Sequence, residues 1–273
     1  MRHISDLHTH STASDGQYTP AQLVGMAKER GLEVLALTDH DTMDGLEEAI
    51  RAGKRLGVRV IPGVELSAKE YPTFHILGYG FVPGAPPLAE LCHRMKARRD
   101  ERTERLLAFL NQKGVGLTAA EVEGLAGGDI IGRPHFAQAM VRRGYVATNR
   151  EAFDRYLDTE EYHRQVERDK PSVRECIGAI KASGGRVSLA HPYQIGIRDD
   201  ELDRLAAELA HNGLDAIECY YPKYTQEQQG SYIHLAEKYH LHQTGGSDFH
   251  GEKVKPDVEL AALDLELGWL LGD

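Results

Sequence analysis

The first residues of the chain include three side chains that can hold a metal ion. Asp6, His8 and His10 alternate with other residues, so in a strand from Ile4 to His10 all three would point to one side. Polar side chains that are buried together without partners cost free energy, whereas imidazoles and carboxylates are ligands for divalent zinc or manganese. For this motif alone, an exposed edge strand with incidental histidines is an equally simple explanation, and the other motifs decide between the two.

Residues of the same kind follow later stretches that are predicted to be strands. In parallel β/α proteins the carboxyl ends of the strands meet at one edge, where the chemistry takes place. His75 lies on a further strand-like run, Phe74 to Tyr79. The ligand-type residues at predicted strand ends are His8, His10, His40, Glu65, His191, Asp248 and His250. Their recurrence favours a metal site at that edge.

The segments between these motifs predict an α/β fold. Seven predicted strands, most of them separated by helices that begin at capping residues such as Thr19 and Ser172, favour a closed or nearly closed parallel barrel over an open sheet. Helical patterns replace this alternation from Pro86 to Lys170. We therefore expect a barrel built from residues 1–85 and 171–273, with residues 86–170 inserted as a helical lid that binds substrate.

The composition narrows the class of protein. With 273 residues, 41% of them hydrophobic, the chain can bury a large core. Its formal net charge of −10 argues against a protein that coats nucleic acid. The three cysteines show no C-x-x-C spacing, which argues against a disulfide framework or a thiolate zinc site. Because no signal peptide or membrane-spanning stretch is evident, we expect a soluble cytoplasmic protein.

Taken together, the motifs resemble those of the PHP family, the polymerase and histidinol phosphatase metallohydrolases. The resemblance extends from Asp6 to His250, and the combination of motifs in this order is highly specific. It implies a distorted seven-stranded (β/α)7 barrel, in agreement with the strand count. The matching segments are Asp6-Leu7-His8-Thr9-His10, Thr38-Asp39-His40, Gly63-Val64-Glu65, His75, Ala190-His191-Pro192 and Gly246-Ser247-Asp248-Phe249-His250.

The resemblance also implies a cluster of two or three divalent ions, with manganese favoured and zinc or iron as alternatives. Some family members have histidine at the position of Asp15, and a carboxylate there retains a hard ligand. His191 and His250 are in addition candidate proton donors. The implied ligands of the three sites are, in turn, His8, His10, Glu65 and Asp248; Glu65 with His75 and His191; and Asp15 with His40 and His250.

Within the family, the segment Gly132-Arg133-Pro134-His135 resembles the branch that acts on nucleotides. Arg133 offers a planar fork that suits phosphate oxygens, and Pro134 would fix a helix N-terminus that also favours an anion. A structural ion pair is the alternative role for Arg133. His135 and Tyr193 are the other candidate substrate contacts, and Tyr193 could either stack on a nucleobase or pack within a loop.

A stripe of arginines in the insertion has two interpretations. Four of them recur at helical spacing and could follow a polynucleotide backbone. A solvated helix face with interleaved glutamates is the interpretation that we favour. The four residues are Arg94, Arg98, Arg102 and Arg105.

These features predict a metal-dependent phosphoesterase. The expected reaction is removal of the 3′-phosphate from a 3′,5′-bisphosphonucleotide by a metal-activated hydroxide, with Arg133, His191 and His250 taking part. The alternatives are a 5′-3′ exonuclease on short 5′-phosphorylated RNA, a histidinol-phosphate phosphatase and a non-catalytic PHP module that supports a polymerase. The expected partner is a small phosphorylated nucleotide or a short RNA 5′ end, and neither duplex DNA, a membrane nor an obligate protein partner is expected.

Overall fold

A computed structural model describes residues 1–126, 131–166 and 169–272 of the chain. Its centre is a sheet of eight strands in the order β7-β6-β5-β4-β3-β2-β1-β8, which curves into a nearly closed barrel. The predicted mixed α/β barrel is therefore confirmed, with one strand more than expected. In chain order the strands are β1 (Arg2–Asp6), β2 (Val34–Leu37), β3 (Arg59–Ser67), β4 (His75–Tyr79), β5 (Arg186–Leu189), β6 (Ala216–Tyr220), β7 (His242–Gly245) and β8 (Leu263–Glu266).

Strand β4 runs antiparallel to both of its neighbours, β3 and β5. The expectation of parallel strands holds for four pairs of neighbours, β1–β2, β2–β3, β5–β6 and β6–β7, and is wrong for β4. The segment between β3 and β4 is too short for the crossover of a dozen or more residues that a parallel pair needs. Because of this reversal, His75 at the start of β4 lies beside Ser67 at the carboxyl end of β3.

The barrel closes differently at its two ends. At one end, β8 pairs antiparallel with β1. The sequence pattern did not predict β8. At the other end, the segment after β1 meets the segment after β7: Leu7 N–H donates to the Gly245 carbonyl at 3.1 Å, and Asp248 N–H donates to the His8 carbonyl at 2.8 Å. Gly246 lies so close to His8 that its position leaves no room for a side chain. The first and last motifs are therefore joined directly.

Helices cover the outside of the barrel. The predicted capping residues Thr19 and Ser172 begin their helices, and each forms a capping box, as does Thr118. Each box satisfies backbone N–H groups at the start of its helix. A π-helix (Phe153–Leu157) follows α6, and a 3₁₀ helix (Pro192–Ile195) follows β5. The α-helices are α1 (Pro20–Glu29), α2 (Leu46–Leu56), α3 (Pro86–Gln112), α4 (Ala119–Glu123), α5 (Arg133–Arg142), α6 (Asn149–Ala152), α7 (Glu160–Gln165), α8 (Val173–Ala182), α9 (Asp199–His211), α10 (Gln226–Lys238) and α11 (Gly268–Leu271).

Helix α3 connects two hydrophobic cores. Its first half packs Leu88 and Met95 into the main core, which surrounds the barrel. Its second half packs Leu106 into a separate core with Phe136 and Tyr162. The described residues from 86 to 166 form helices and contain no strand. None of the helices in the described part of the chain is both long enough and apolar enough to cross a membrane.

Candidate metal centre

The carboxyl edge of the barrel brings together the side chains that the sequence motifs single out. Asp15, from the loop between β1 and α1, lies beside them, with its Oδ1 3.3 Å from His250 Nε2. Most of these side chains are buried, while those of His40, His75 and Asp15 are 17%, 18% and 12% exposed. The cluster consists of His8 and His10 after β1, His40 after β2, Glu65 in β3, His75 in β4, His191 after β5, and Asp248 with His250 after β7.

Glu65 lies at the centre of this cluster. Its Oε1 is 2.7 Å from His75 Nδ1 and 2.9 Å from His191 Nε2. Its Oε2 lies next to ring nitrogens of three further residues, namely His8 (3.2 Å), His10 (3.1 Å) and His40 (3.2 Å). One buried carboxylate therefore contacts five imidazole rings.

Three groups of donor atoms overlap in the cluster. Within each group the donor atoms lie within 4.8 Å of one another, which is close enough for one ion to contact them all after small adjustments. His191 lies next to the second group, with its Nε2 3.4 Å from His75 Nδ1. The groups are His8, His10, Glu65 and Asp248; His40, Glu65 and His75; and His10, Asp15, His40 and His250.

The hydrogen-bonding state of the cluster fits a metal site. Among the described residues, no hydrogen-bond partner is found for His8 Nε2, either ring nitrogen of His10, His40 Nδ1 or Glu65 Oε2. These are buried atoms, and buried polar atoms are otherwise almost always hydrogen-bonded. Nitrogen and oxygen donors that face one another in this way are what a divalent ion with borderline ligand preference binds.

Burial and neighbouring charges set the protonation of the cluster. Burial alone would raise the pKa of Glu65, but the imidazole of His40, followed by those of other cluster histidines, holds it well below its usual range. Burial lowers the pKa of His40 to about 3, so this ring is neutral at pH 7 and offers a lone pair. For His10, burial is outweighed by the carboxylates of Asp248 and Glu65, which raise its pKa to about 9. A bound ion would take the place of that proton.

Asp6 differs from the sequence expectation, because it does not share a group with His8 and His10. Its Oδ1 accepts hydrogen bonds from the N–H groups of His8 (3.2 Å) and Ser247 (2.9 Å), and its Oδ2 accepts from Ser247 Oγ (2.5 Å) and Ala261 N–H (2.8 Å). Burial raises its pKa to about 6. The strand geometry expected from Ile4 to His10 fails after Asp6, where β1 ends, so Asp6 ties the two ends of the site together instead.

Two residues that the sequence motifs do not include hold Asp248. Its Oδ2 accepts hydrogen bonds from Tyr221 Oη at 2.8 Å and from Lys255 Nζ at 2.6 Å. Its Oδ1 faces His10 Nε2 at 3.3 Å. Burial alone would raise the pKa of Asp248, and Lys255 is the main reason why it instead lies well below its usual range. Because Tyr221 and Lys255 both donate to Oδ2, the other carboxylate oxygen, Oδ1, remains directed at the cluster.

The backbone at the site adopts unusual conformations. The backbone φ angles of His191, Asp41 and Asp248 are 22°, 58° and 56°. Residues other than glycine rarely adopt positive φ angles of this size. Each such residue costs roughly 1–3 kcal/mol and is found mostly where function requires it. His191 and Asp248 are members of the cluster, and Asp41 directly follows the cluster residue His40.

A pocket of about 190 Å³ adjoins the cluster, and it is strongly basic on its other side. Asp15, His40 and His75 line it on the cluster side. The cations that line it come from the segment between β4 and α8, and they are Arg99, Arg102, Arg133 and Lys170. An arrangement of donor atoms for metal beside guanidinium groups is suited to a phosphate ester.

Arg133 forms an ion pair and also lies at the pocket. It begins α5 and lines the pocket, while its Nη1 donates to Asp158 Oδ1 at 2.9 Å and to the Leu157 carbonyl at 3.2 Å. Its guanidinium also lies over the rings of Phe153 and Tyr162, 5.6 and 5.5 Å from their centroids. The ion pair and the rings hold Arg133 in place at the edge of the pocket.

The two other candidate substrate contacts lie elsewhere. His135 is buried, and its Nδ1 accepts a hydrogen bond from Gly132 N–H at 3.0 Å. This hydrogen bond caps the N-terminus of α5. Tyr193 lies in the 3₁₀ helix and belongs to an aromatic cluster with Tyr221 and Tyr224, whose ring centroids are 5.5 and 5.6 Å from its own. Neither His135 nor Tyr193 is among the described residues that line the pocket.

The arginine stripe on α3 is mostly solvated, as favoured from the sequence. Arg98 pairs with Asp169 at 3.1 Å on the surface. Arg102 is the exception, because it is buried and its Nη2 donates to the Ile131 carbonyl at 2.8 Å. Its neighbour on the buried face is Arg99, which pairs with Asp41. The hydrophobic residues that share this face, such as Leu106, indicate which side of α3 turns inward.

Comparison with curated proteins gives relatives that match most of the chain. A 5′-3′ exoribonuclease from Haemophilus influenzae is 34% identical and the alignment covers 90% of this chain and 89% of that protein. A phosphoribosyl 1,2-cyclic phosphate 1,2-diphosphodiesterase from Eggerthella lenta is 34% identical, and the alignment covers 91% of this chain and 95% of that protein. A 3′,5′-nucleoside bisphosphate phosphatase from Chromobacterium violaceum is 34% identical, and the alignment covers 90% of this chain and 86% of that protein.

A solved structure and a family model agree with these relatives. A protein from Bifidobacterium adolescentis, described as a metal-dependent phosphoesterase, superposes with a TM-score of 0.85 at 31% identity and covers 98% of this chain and 95% of its own. The model of the PHP domain matches residues 6–167, more than half of the chain. This protein therefore belongs to the PHP-domain family.

Proposed function

We propose that the protein is a metal-dependent phosphoesterase that removes the 3′-phosphate from 3′,5′-bisphosphonucleotides. The observation that carries the proposal is the pocket in which Asp15, His40 and His75 face three arginines and a lysine. Such a pocket can hold one phosphate against the metal ligands and a second against the cations. The relative from Chromobacterium violaceum that is named as a bisphosphate phosphatase supports this choice.

The residues present fit two or three divalent ions; the carboxylates suit manganese, which is the ion that we propose, while the imidazoles also suit zinc or iron. When bound, such ions lower the pKa of a water molecule, orient the phosphate and neutralise charge in the transition state. Glu65, with both oxygens turned to imidazoles, would be shared between ions. The proposed ligands are those of the family motifs: His8, His10, Asp15, His40, Glu65, His75, His191, Asp248 and His250.

The arginines would bind and orient the phosphate groups. Among the described residues, Arg133 donates hydrogen bonds only through Nη1, so its Nη2 and Nε remain for phosphate oxygens. Arg99 and Arg102 are buried at 7% and 5% exposure, which keeps their charges poorly screened by solvent. Lys170 donates from Nζ to the Pro72 carbonyl at 2.8 Å and adds a further cation at the rim.

The two candidate proton donors differ in their contacts. His250 Nδ1 donates to the Asp248 carbonyl at 2.9 Å, and its Nε2 faces Asp15, so both of its nitrogens are engaged. His191 has Nε2 near Glu65, whereas its Nδ1 has no hydrogen-bond partner among the described residues. His191 is therefore the residue with a nitrogen available for proton transfer to the leaving oxygen.

The proposal predicts a preference for substrates with two phosphates. We expect kcat/KM for a 3′,5′-bisphosphonucleotide to exceed that for the matching 3′-mononucleotide by roughly 10- to 100-fold, because charge-assisted hydrogen bonds to the second phosphate are worth about 1.5–3 kcal/mol. The measurement is phosphate release with manganese present. Equal values for the two nucleotides would contradict the proposed role of the basic side of the pocket.

A 5′-3′ exonuclease on short RNA is the second candidate, and one observation favours it. The pocket shares Pro72 and Lys170 with a groove of about 400 Å³ that also contains Lys69, Tyr71 and His163. This groove continues the pocket along the surface and could hold the next nucleotide of a short strand. Stepwise release of mononucleotides from 5′-phosphorylated RNA, with circular RNA and duplex DNA left intact, would favour this activity.

The same assay separates the remaining alternatives. Histidinol phosphate lacks a second phosphate, so faster turnover of it than of the bisphosphonucleotide would identify a histidinol-phosphate phosphatase. Absence of both phosphate release and mononucleotide release from every substrate, with the protein loaded with manganese, would favour a non-catalytic module. The presence of all nine proposed ligands in one cluster supports an active enzyme.

Replacement of Arg133 tests the phosphate contact. We expect Arg133→Ala to lower kcat/KM on the bisphosphonucleotide by roughly 10- to 100-fold, from the loss of charge-assisted hydrogen bonds. Arg98→Ala is the matched control, because Arg98 pairs with Asp169 on the surface and a surface ion pair contributes little. Similar kcat/KM values for the two variants would show that Arg133 serves only the ion pair with Asp158.

A further inference from the structure

The ring of His8 contacts carboxylates through both of its nitrogens. Its Nδ1 lies 3.0 Å from Glu218 Oε1, and its Nε2 lies 3.2 Å from Glu65 Oε2 and 3.6 Å from Asp248 Oδ1. An ionised carboxylate can only accept a hydrogen bond. A neutral His8 that donates its Nδ1–H to Glu218 therefore presents the Nε2 lone pair to the cluster.

The second oxygen of Glu218 holds another candidate ligand. Glu218 Oε2 accepts a hydrogen bond from the backbone N–H of His191 at 2.7 Å. His191 has the positive φ angle of 22° noted above, so this bond supports a backbone conformation that is otherwise unfavourable. Glu218 itself is completely buried in the middle of β6, and among the described residues the His8 ring and the His191 N–H are the donors to its carboxylate.

We propose that Glu218 is a positioning residue for metal binding, which fixes the ring of His8 and the backbone of His191 at the same time. The inference rests on the ion binding assigned under the proposed function. Outer carboxylates of this kind hold a ligating histidine in one tautomer, and their loss typically lowers metal affinity 10- to 100-fold. Since His8 belongs to the first donor group and His191 lies next to the second, Glu218 would link two ion sites that share Glu65.

Glutamine at this position tests the orientation rather than the packing. Glu218→Gln keeps nearly the same volume but replaces one acceptor oxygen with an NH2 donor. If the remaining oxygen stays on His191 N–H, the NH2 group faces His8 Nδ1 and requires a lone pair there. The proton of His8 must then sit on Nε2, where it blocks coordination. If the amide turns over, the NH2 group instead opposes His191 N–H.

The experiment is calorimetric titration of the chelator-stripped full chain with manganese chloride. We expect Glu218→Gln to weaken the tightest binding step by 10- to 100-fold and to reduce the rise in Tm that manganese gives. Cys219→Ala is the control, because Cys219 is also buried in β6 but packs in the hydrophobic core. This control should lower the Tm and leave manganese affinity unchanged.

The outcomes separate this inference from the proposed function. No manganese binding by the wild-type chain would overturn the metal centre itself. Wild-type affinity in folded Glu218→Gln would overturn the role of Glu218 alone. If Glu218→Gln does not fold, Glu218→Asp replaces it, since the shorter carboxylate keeps the charge but cannot reach both donors. Wild-type affinity in that variant, or failure of both variants to fold, would show that Glu218 serves the fold and not the ions.

Discussion

Replacing Glu65 with glutamine is expected to lower kcat/KM by at least about 1,000-fold and to release bound metal. Glu65 is the residue whose two oxygens contact five imidazoles. Its loss would remove several kcal/mol of charge stabilisation by the ions in the transition state, and each 1.4 kcal/mol corresponds to a factor of ten in rate. Glutamine has nearly the same size, so the barrel should remain folded.

The measurement combines metal content of the purified, unchelated protein with kcat/KM and circular dichroism. At least two ions per chain are expected in the wild type, and fewer in Glu65→Gln. Glu33→Gln is the control, because this exposed carboxylate pairs only with His3 Nδ1 among the described residues, at 2.9 Å. One ion or none in the wild type, or full metal content and activity in Glu65→Gln, would contradict the proposed centre.

Replacing Arg99 with methionine is expected to lower the free energy of unfolding by about 3–5 kcal/mol, the usual cost of removing one partner from a buried ion pair. Arg99 and Asp41 are 7% and 0% exposed, and the oxygens of Asp41 also accept from Ser67 N–H at 2.9 Å and Ser67 Oγ at 3.3 Å. The variant would leave a carboxylate charge buried between α3 and the barrel. Because Arg99 also lines the pocket, kcat/KM should fall as well.

Urea unfolding of the chelator-stripped protein gives the stability change without a contribution from bound metal. Arg98→Met, one position earlier on α3, is the matched control, since Arg98 is 37% exposed in its ion pair with Asp169 and should change stability by less than about 1 kcal/mol. The double variant Arg99→Met with Asp41→Asn should recover part of the loss, because it removes the buried charge. Equal stabilities of the two arginine variants would refute the importance of the buried pair.

The strand ends could be predicted from sequence because their polar residues interrupt apolar runs. His40, Glu65 and His191 each lie close to such a run, whereas Asp248 follows the more polar strand β7. Parallel strands bring their carboxyl ends together whatever the details of packing. His75 was the less obvious member, since it begins its strand. It reaches the cluster only because β4 is antiparallel, and the short connection from β3 is the sequence feature that indicates the reversal.

The supporting residues could not be predicted in the same way. Glu218 contacts His8 across a separation of 210 residues. Lys255 lies only seven residues after Asp248, but no local pattern distinguishes either residue from other charged residues. On α3, the periodicity of arginines is compatible with several helix faces. Arg99 and Arg102 turn inward because the hydrophobic residues of that face pack against the barrel and the second core, which is a property of the tertiary structure.

The joining of the first and last motifs has a consequence for how the protein matures. Asp6 accepts from Ser247, 241 residues later, and the His8 carbonyl accepts from Asp248 N–H. During synthesis His8 and His10 emerge long before their partners, so this closure must wait until Ser247 and Asp248 have also left the ribosome. Contacts of such sequence separation form slowly. Complete metal loading is therefore expected as a late event of biogenesis, after the barrel has closed.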